Sequence, residues 1–144
     1  MENATPAATI AHSIQLAVAP VFLLTGIGAM LSVLTGRLGR IIDRSRLLHS
    51  RRLTAKQADL SQIDYELQVH AKRAWNINWA ISLCTACALL VCLVISLLFM
   101  QEFVSGNAMA VAILFIAAMA CLILALVFFL REIYLATAKF EFGP

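Results

Sequence analysis

Charged side chains are scarce, at 13% of the 144 residues where an average soluble domain carries about a quarter. Together with a hydrophobic fraction of 62%, that scarcity argues against a water-soluble fold. Basic residues are missing ahead of the first apolar run. The opening segment holds Glu2 and no Lys or Arg, so it lacks the start of a cleavable signal peptide, and the run is expected to stay in the mature protein. Paired carboxylates, a Ser or Cys nucleophile beside a base, and a phosphate-cradling glycine loop are all lacking at usable spacing, which argues against an enzyme. No recognition motif or aromatic platform for nucleic acid is present. The second and third apolar runs contain no ionisable side chain other than cysteine, which disfavours ion-coupled secondary transport.

What the chain does contain is three long apolar runs, at about residues 10–36, 74–100 and 108–130. Each reaches the roughly 20 residues needed to cross a hydrocarbon core of about 30 Å. They predict an all-α membrane protein of one domain, residues 1–144, with three transmembrane helices. Nine of the eleven Lys and Arg residues lie between the first two runs, while residues 101–107 hold only Glu102. Basic residues are retained on the cytoplasmic side, so the expected topology is N-terminus out and C-terminus in.

Between the first two spans, residues 37–73 are expected to form a cytoplasmic antiparallel helical hairpin, built from extensions of helices 1 and 2. Leu38, Ile41, Ile42, Ser45 and Leu48 share one side of the first arm, and Leu60, Ile63, Leu67, His70 and Ala74 keep a three-four spacing along the second. A break is expected near residues 49–53, followed by a capping box of Thr54 and Gln57. Residues Ser105, Gly106 and Asn107 predict a short turn that makes spans two and three adjacent and antiparallel.

Span one carries Pro20, which predicts a bend. Further along, Gly28, Ser32 and Gly36 recur every four positions, and Thr25, Ala29, Ser32, Gly36 and Gly39 form a neighbouring stripe. Small residues on one helix face let another helix approach closely, so Gly28, Ser32, Gly36 and Gly39 are candidates for packing within the chain or between copies in a homo-oligomer. Thr25, Ser32 and Thr35 are the candidate lining of a pore. Arg37, Arg40, Arg44 and Arg46 are candidates for its inner mouth or for contact with anionic lipid, since each basic residue near a charged membrane surface contributes about 1 kcal/mol. Asp43 stands i,i+3 from both Arg40 and Arg46, a spacing that predicts a local ion pair. Trp75 and Trp79 fall where the second span enters the bilayer and are expected to fix its depth.

Cys84 and Cys87 form a Cys-x-x-Cys, but their neighbours are Leu, Ala and Val, an apolar setting that favours small packing residues over metal or redox ligands. His12, His49 and His70 have no carboxylate or cysteine at ligand spacing, so no metal or other cofactor is expected. The stretch from His12 through Pro20 to Thr25, His-Ser-Ile-Gln-Leu-Ala-Val-Ala-Pro-Val-Phe-Leu-Leu-Thr, is continued by Arg37-Leu-Gly-Arg40-Ile-Ile-Asp43-Arg44-Ser-Arg46. Together these resemble the bacterial membrane family of domain of unknown function 2721. The resemblance covers nearly the whole chain and implies the three-span layout and the inner membrane, but no catalytic residues. Two functional classes follow from the residues. One is a homo-oligomeric channel or pore-like assembly around the small face of span one. The other is a membrane-anchored scaffold acting on a protein partner through its basic hairpin.

Overall fold

The computed structural model describes residues 6–55, 57–100 and 108–137, which form α1 (Pro6–Arg52), α2 (Gln57–Met100) and α3 (Ala108–Thr137). At 1.5 Å per residue, the 47 residues of α1 rise about 70 Å, more than twice the thickness of a hydrocarbon core. α2 has 44 residues and the same excess, whereas α3, with 30, is little longer than a span. All three are long and apolar enough to cross a membrane, as expected of a multi-pass membrane protein. Their outer faces agree: Phe22, Leu89, Ile116 and Ile123 are each more than 60% exposed, which water would penalise and lipid does not.

The chain turns back at residues 53–55. There the Thr54 amide and hydroxyl both donate to the Arg51 carbonyl, at 3.1 and 3.2 Å. The break falls a few residues later than the expected 49–53, since α1 stays helical through Arg52; the Thr54 hydroxyl closes the end of α1 rather than opening α2, and the side chain of Gln57 lies outside the described residues. α1 and α2 run antiparallel. Arg52 at the end of α1 pairs with Asp64 near the start of α2 at 3.0 Å, and Ile14, Ala17 and Val21 of α1 border the same groove as Ile95 and Phe99 of α2. The helix of α1 continues through Pro20, which is buried.

α2 is the central element, packed along both α1 and α3. Large residues of α1 at heptad spacing, Ile27, Leu34 and Ile41, meet the small residues Ala80, Cys84 and Cys87 of α2, and Ala118 and Ala125 of α3 join the same core. Close approach within the chain therefore comes from Ala and Cys on α2 and α3, and Cys84 and Cys87 sit in that core as fully buried free thiols. In the hairpin arms, Ile41 and Leu48 of the expected stripe are buried but Ile42 is 40% exposed, because the seam advances by seven residues and leaves position 42 a step outside it. Leu60, Ile63, Leu67, His70 and Ala74 are half-buried. The expected turn at Ser105, Gly106 and Asn107, along with Lys56 and Lys139, lies outside the described residues.

Candidate functional site

α1 and α3 both lie on α2 but make little contact with each other, so a notch opens between them. Its pocket lies where α3 ends its apolar stretch. Ala118, Ala125 and Glu132 follow one another at intervals of seven and are all fully buried, so the seam that brings two alanines against α2 carries a carboxylate in on the next step. Arg73 of α2 meets it. Nε and Nη2 of Arg73 donate to the same oxygen, Oε1, at 2.8 and 2.7 Å, with the two side chains 18% and 1% exposed. The other oxygen, Glu132 Oε2, is buried with no hydrogen-bond partner. A fork-to-fork pair would engage both oxygens, so half of the carboxylate's accepting capacity is left desolvated and unused.

Around this pair the notch encloses a cavity of about 380 Å³, lined by Arg37, Arg40, Ile41 and Arg44 of α1, His70 and Arg73 of α2, and Glu132 of α3. Arg37, Arg40 and Arg44 fall three and four residues apart and so share a side of α1. Arg37 lies over the Phe129 ring at 5.3 Å, which holds its guanidinium toward α3, and Arg40 Nε donates to the Gly36 carbonyl at 3.4 Å. Among the described residues the ion pairs are Arg52–Asp64 and Arg73–Glu132, so none of the three α1 arginines has a carboxylate partner. The expected pairing of Asp43 with Arg40 or Arg46 does not form. A solvent-exposed pair of this kind is worth only about 0.2–0.5 kcal/mol on a helix, too little to hold Arg40 away from the cavity. With the Arg73–Glu132 pair neutral overall, the cavity keeps three uncompensated positive charges.

The four arginines singled out in the sequence therefore separate. Arg37, Arg40 and Arg44 converge on the cavity, whereas Arg46 borders a shallow groove with Ser45, His49 and Ser50 near the hairpin tip. Trp75 and Trp79 pack edge-on to each other at 5.9 Å and meet Phe128 of α3 at 6.4 and 6.5 Å, an outward-facing aromatic cluster within about two turns of Arg73 and Glu132. Rings and charges thus occupy one level along the helices, the distribution that a membrane–water boundary selects.

The small-residue face lies elsewhere. Thr25, Gly28, Ser32, Thr35 and Gly36 are all exposed and Gly39 is half-buried. Two residues from either Ser32 or Gly36, Leu34 is fully buried, and a two-residue step is about 200° around a helix, so the face points away from α2. A Cβ built on Gly28, Gly36 or Gly39 would meet nothing within 4 Å. The Thr25 hydroxyl donates to Val21 O at 3.4 Å, and that of Thr35 reaches Leu31 O at 2.9 Å and Ser32 O at 3.1 Å.

A family model described as a protein of unknown function, DUF2721, matches residues 17–142. The chain belongs to that family. The match takes in α1 from Ala17 onward, α2, α3 and every residue of the cavity, and it agrees with the resemblance read from the residues around Pro20 and Arg37. Comparison with curated proteins and with solved structures finds no match. Sequence reasoning singled out neither Glu132 nor the Arg73 that meets it. The signal lies in the interval of seven from Ala118 to Ala125, which extends to position 132 and marks it as inward-facing.

Proposed function

We propose that this protein is a self-associating, non-catalytic scaffold of the bacterial inner membrane. Copies pack through the small-residue face of α1 and hold their basic helical hairpins at the cytoplasmic surface for a protein partner. The observation that carries this reading is the position of Gly28, Ser32 and Gly36: exposed, opposite the buried seam, with open space over each glycine. In lipid, small residues favour association because backbones can approach closely enough for dispersion contacts that acyl chains match poorly.

The same face motivates a pore-like assembly along Thr25, Ser32 and Thr35. Two observations favour the scaffold over it. The hydroxyl hydrogens of Thr25 and Thr35 are used on their own helix, and Arg37, Arg40 and Arg44 line a cavity between the three helices of one protomer. In a cysteine-free background, a Ser32→Cys protein should cross-link to dimers in membranes and an Ile123→Cys protein, on the outer face of α3, should not. A monomer in nanodiscs would reject the assembly. Conductance in planar bilayers that changes with Ser32→Ala would replace the scaffold by the pore.

A further inference from the structure

The cavity between α1, α2 and α3 combines three features: an excess of arginine, a buried acceptor with no donor, and a level on the helices next to an aromatic cluster. Arginine without a carboxylate partner suits an oxyanion, and the guanidinium fork matches the paired oxygens of a phosphate. A simple anion satisfies only half of the site, because Glu132 Oε2 repels it and needs a hydrogen-bond donor. The occupant that answers both is a phosphate ester carrying its own hydroxyl or ammonium group. At about 380 Å³ the space is within the range of small-ligand pockets, about 300–1,000 Å³. The apolar runs 10–36, 74–100 and 108–130 end beside Arg37, Arg73 and Glu132, and the end of an apolar span is where the headgroup of a phospholipid resides.

We infer that this cavity binds the phosphate of a membrane phospholipid through Arg37, Arg40 and Arg44, while a hydroxyl or ammonium of the headgroup donates to Glu132 Oε2. Arg73 then has two tasks. It neutralises Glu132 Oε1 and, by holding that carboxylate fixed, leaves the second oxygen to be matched by a donor supplied from outside the chain. The site is complete within one protomer and is independent of the self-association proposed above.

The test uses the full chain, delipidated in mild detergent and then offered phosphatidylglycerol, phosphatidylethanolamine or phosphatidylcholine, with bound lipid counted by native mass spectrometry. Glycerol phosphate forms a separate, soluble arm. Phosphatidylglycerol and phosphatidylethanolamine should be retained over phosphatidylcholine, whose quaternary nitrogen has no N–H to donate. Arg40→Gln and Arg44→Gln should each weaken retention by roughly tenfold, the loss of one hydrogen bond to a charged group. Arg46→Gln, which removes the same charge from the same helix outside the cavity, should leave it unchanged. Glu132→Gln should abolish the preference over phosphatidylcholine, because an amide can turn either its oxygen or its nitrogen toward the headgroup. Equal losses from Arg46→Gln and Arg44→Gln would overturn the site in favour of diffuse surface charge. Equal retention of all three lipids would overturn the donor role of the headgroup. Binding of glycerol phosphate without any retained lipid would overturn the membrane source.

Discussion

At the scale of single residues, the Arg73–Glu132 pair is the most consequential interaction in the chain. Two ions have been taken out of water, and their mutual attraction has to offset that desolvation. Removing one partner leaves the other buried and uncompensated, which costs about 3–5 kcal/mol, whereas replacing both with apolar side chains of similar length is close to neutral. Arg73→Met is therefore expected to lower the unfolding midpoint in detergent markedly, and adding Glu132→Met should restore most of it. Tryptophan emission is a suitable readout because Trp75 and Trp79 contact α3 through Phe128. Losses that simply add in the double variant would mean that the two side chains act independently. The Arg52–Asp64 pair at the hairpin tip makes a useful contrast. Its side chains are 46% and 43% exposed, so solvent and salt screen it, and Arg52→Gln should shift the same midpoint little.

At the scale of helices, α1 presents two faces that differ in kind. One carries Ile27, Leu34 and Ile41 into the core, and the other carries Gly28, Ser32 and Gly36 outward. Gly36→Leu should leave the protomer's thermal unfolding intact, since its side chain enters open space, while reducing the cross-linked dimer expected at Ser32. Ala80→Leu should do the reverse. It forces extra volume into the fully buried contact between α2 and α1, a change that costs about 1–3 kcal/mol, and it leaves the outer face untouched. Thermal unfolding and cross-linking of both variants, measured side by side, separate the two faces, and a destabilised Gly36→Leu protomer would contradict the open geometry. Much at this scale is legible in the sequence, because apolar runs and hydrophobic period depend on residues near one another in the chain. The break after Arg52 and the α2 and α3 spans are of that kind. The partner of Glu132 is not: it lies 59 residues away, and no local pattern records which basic residue a packed helix will bring to it. Thr54 shows a subtler failure, since its hydroxyl can serve either the helix it follows or the one it precedes, and Gln57 three residues on points to the second while the hydroxyl serves the first.

At the scale of the whole molecule, the extra length of α1 and α2 over α3 decides where chemistry can occur. Among the described residues α3 ends about a turn past Glu132, so beyond the level of Arg73 the described helices that continue are α1 and α2, and they carry most of the basic residues with them. A two-helix arm with exposed Arg44, Arg46, Arg51 and Arg52 has no stable place in hydrocarbon, because each arginine there costs at least about 2.5 kcal/mol even on the most lenient insertion scale. The arm must therefore stand in water on one side of the bilayer, and the tendency of Lys and Arg to be retained in the cytoplasm makes that the proposed side. The expectation is that, in a cysteine-free background, a membrane-impermeant thiol reagent reaches Ser50→Cys or Thr54→Cys in inverted membrane vesicles but not in intact spheroplasts. Both positions are exposed at the hairpin turn, so failure of the reagent to react is not a matter of burial. Ser105→Cys, in the segment between α2 and α3 that lies outside the described residues, should show the opposite pattern, reacting in spheroplasts alone. Reaction of Ser50→Cys in intact spheroplasts would invert the topology. It would put the arginine cavity at the outer leaflet and leave the hairpin no access to a cytoplasmic partner, so this one measurement tests the orientation on which the scaffold reading rests.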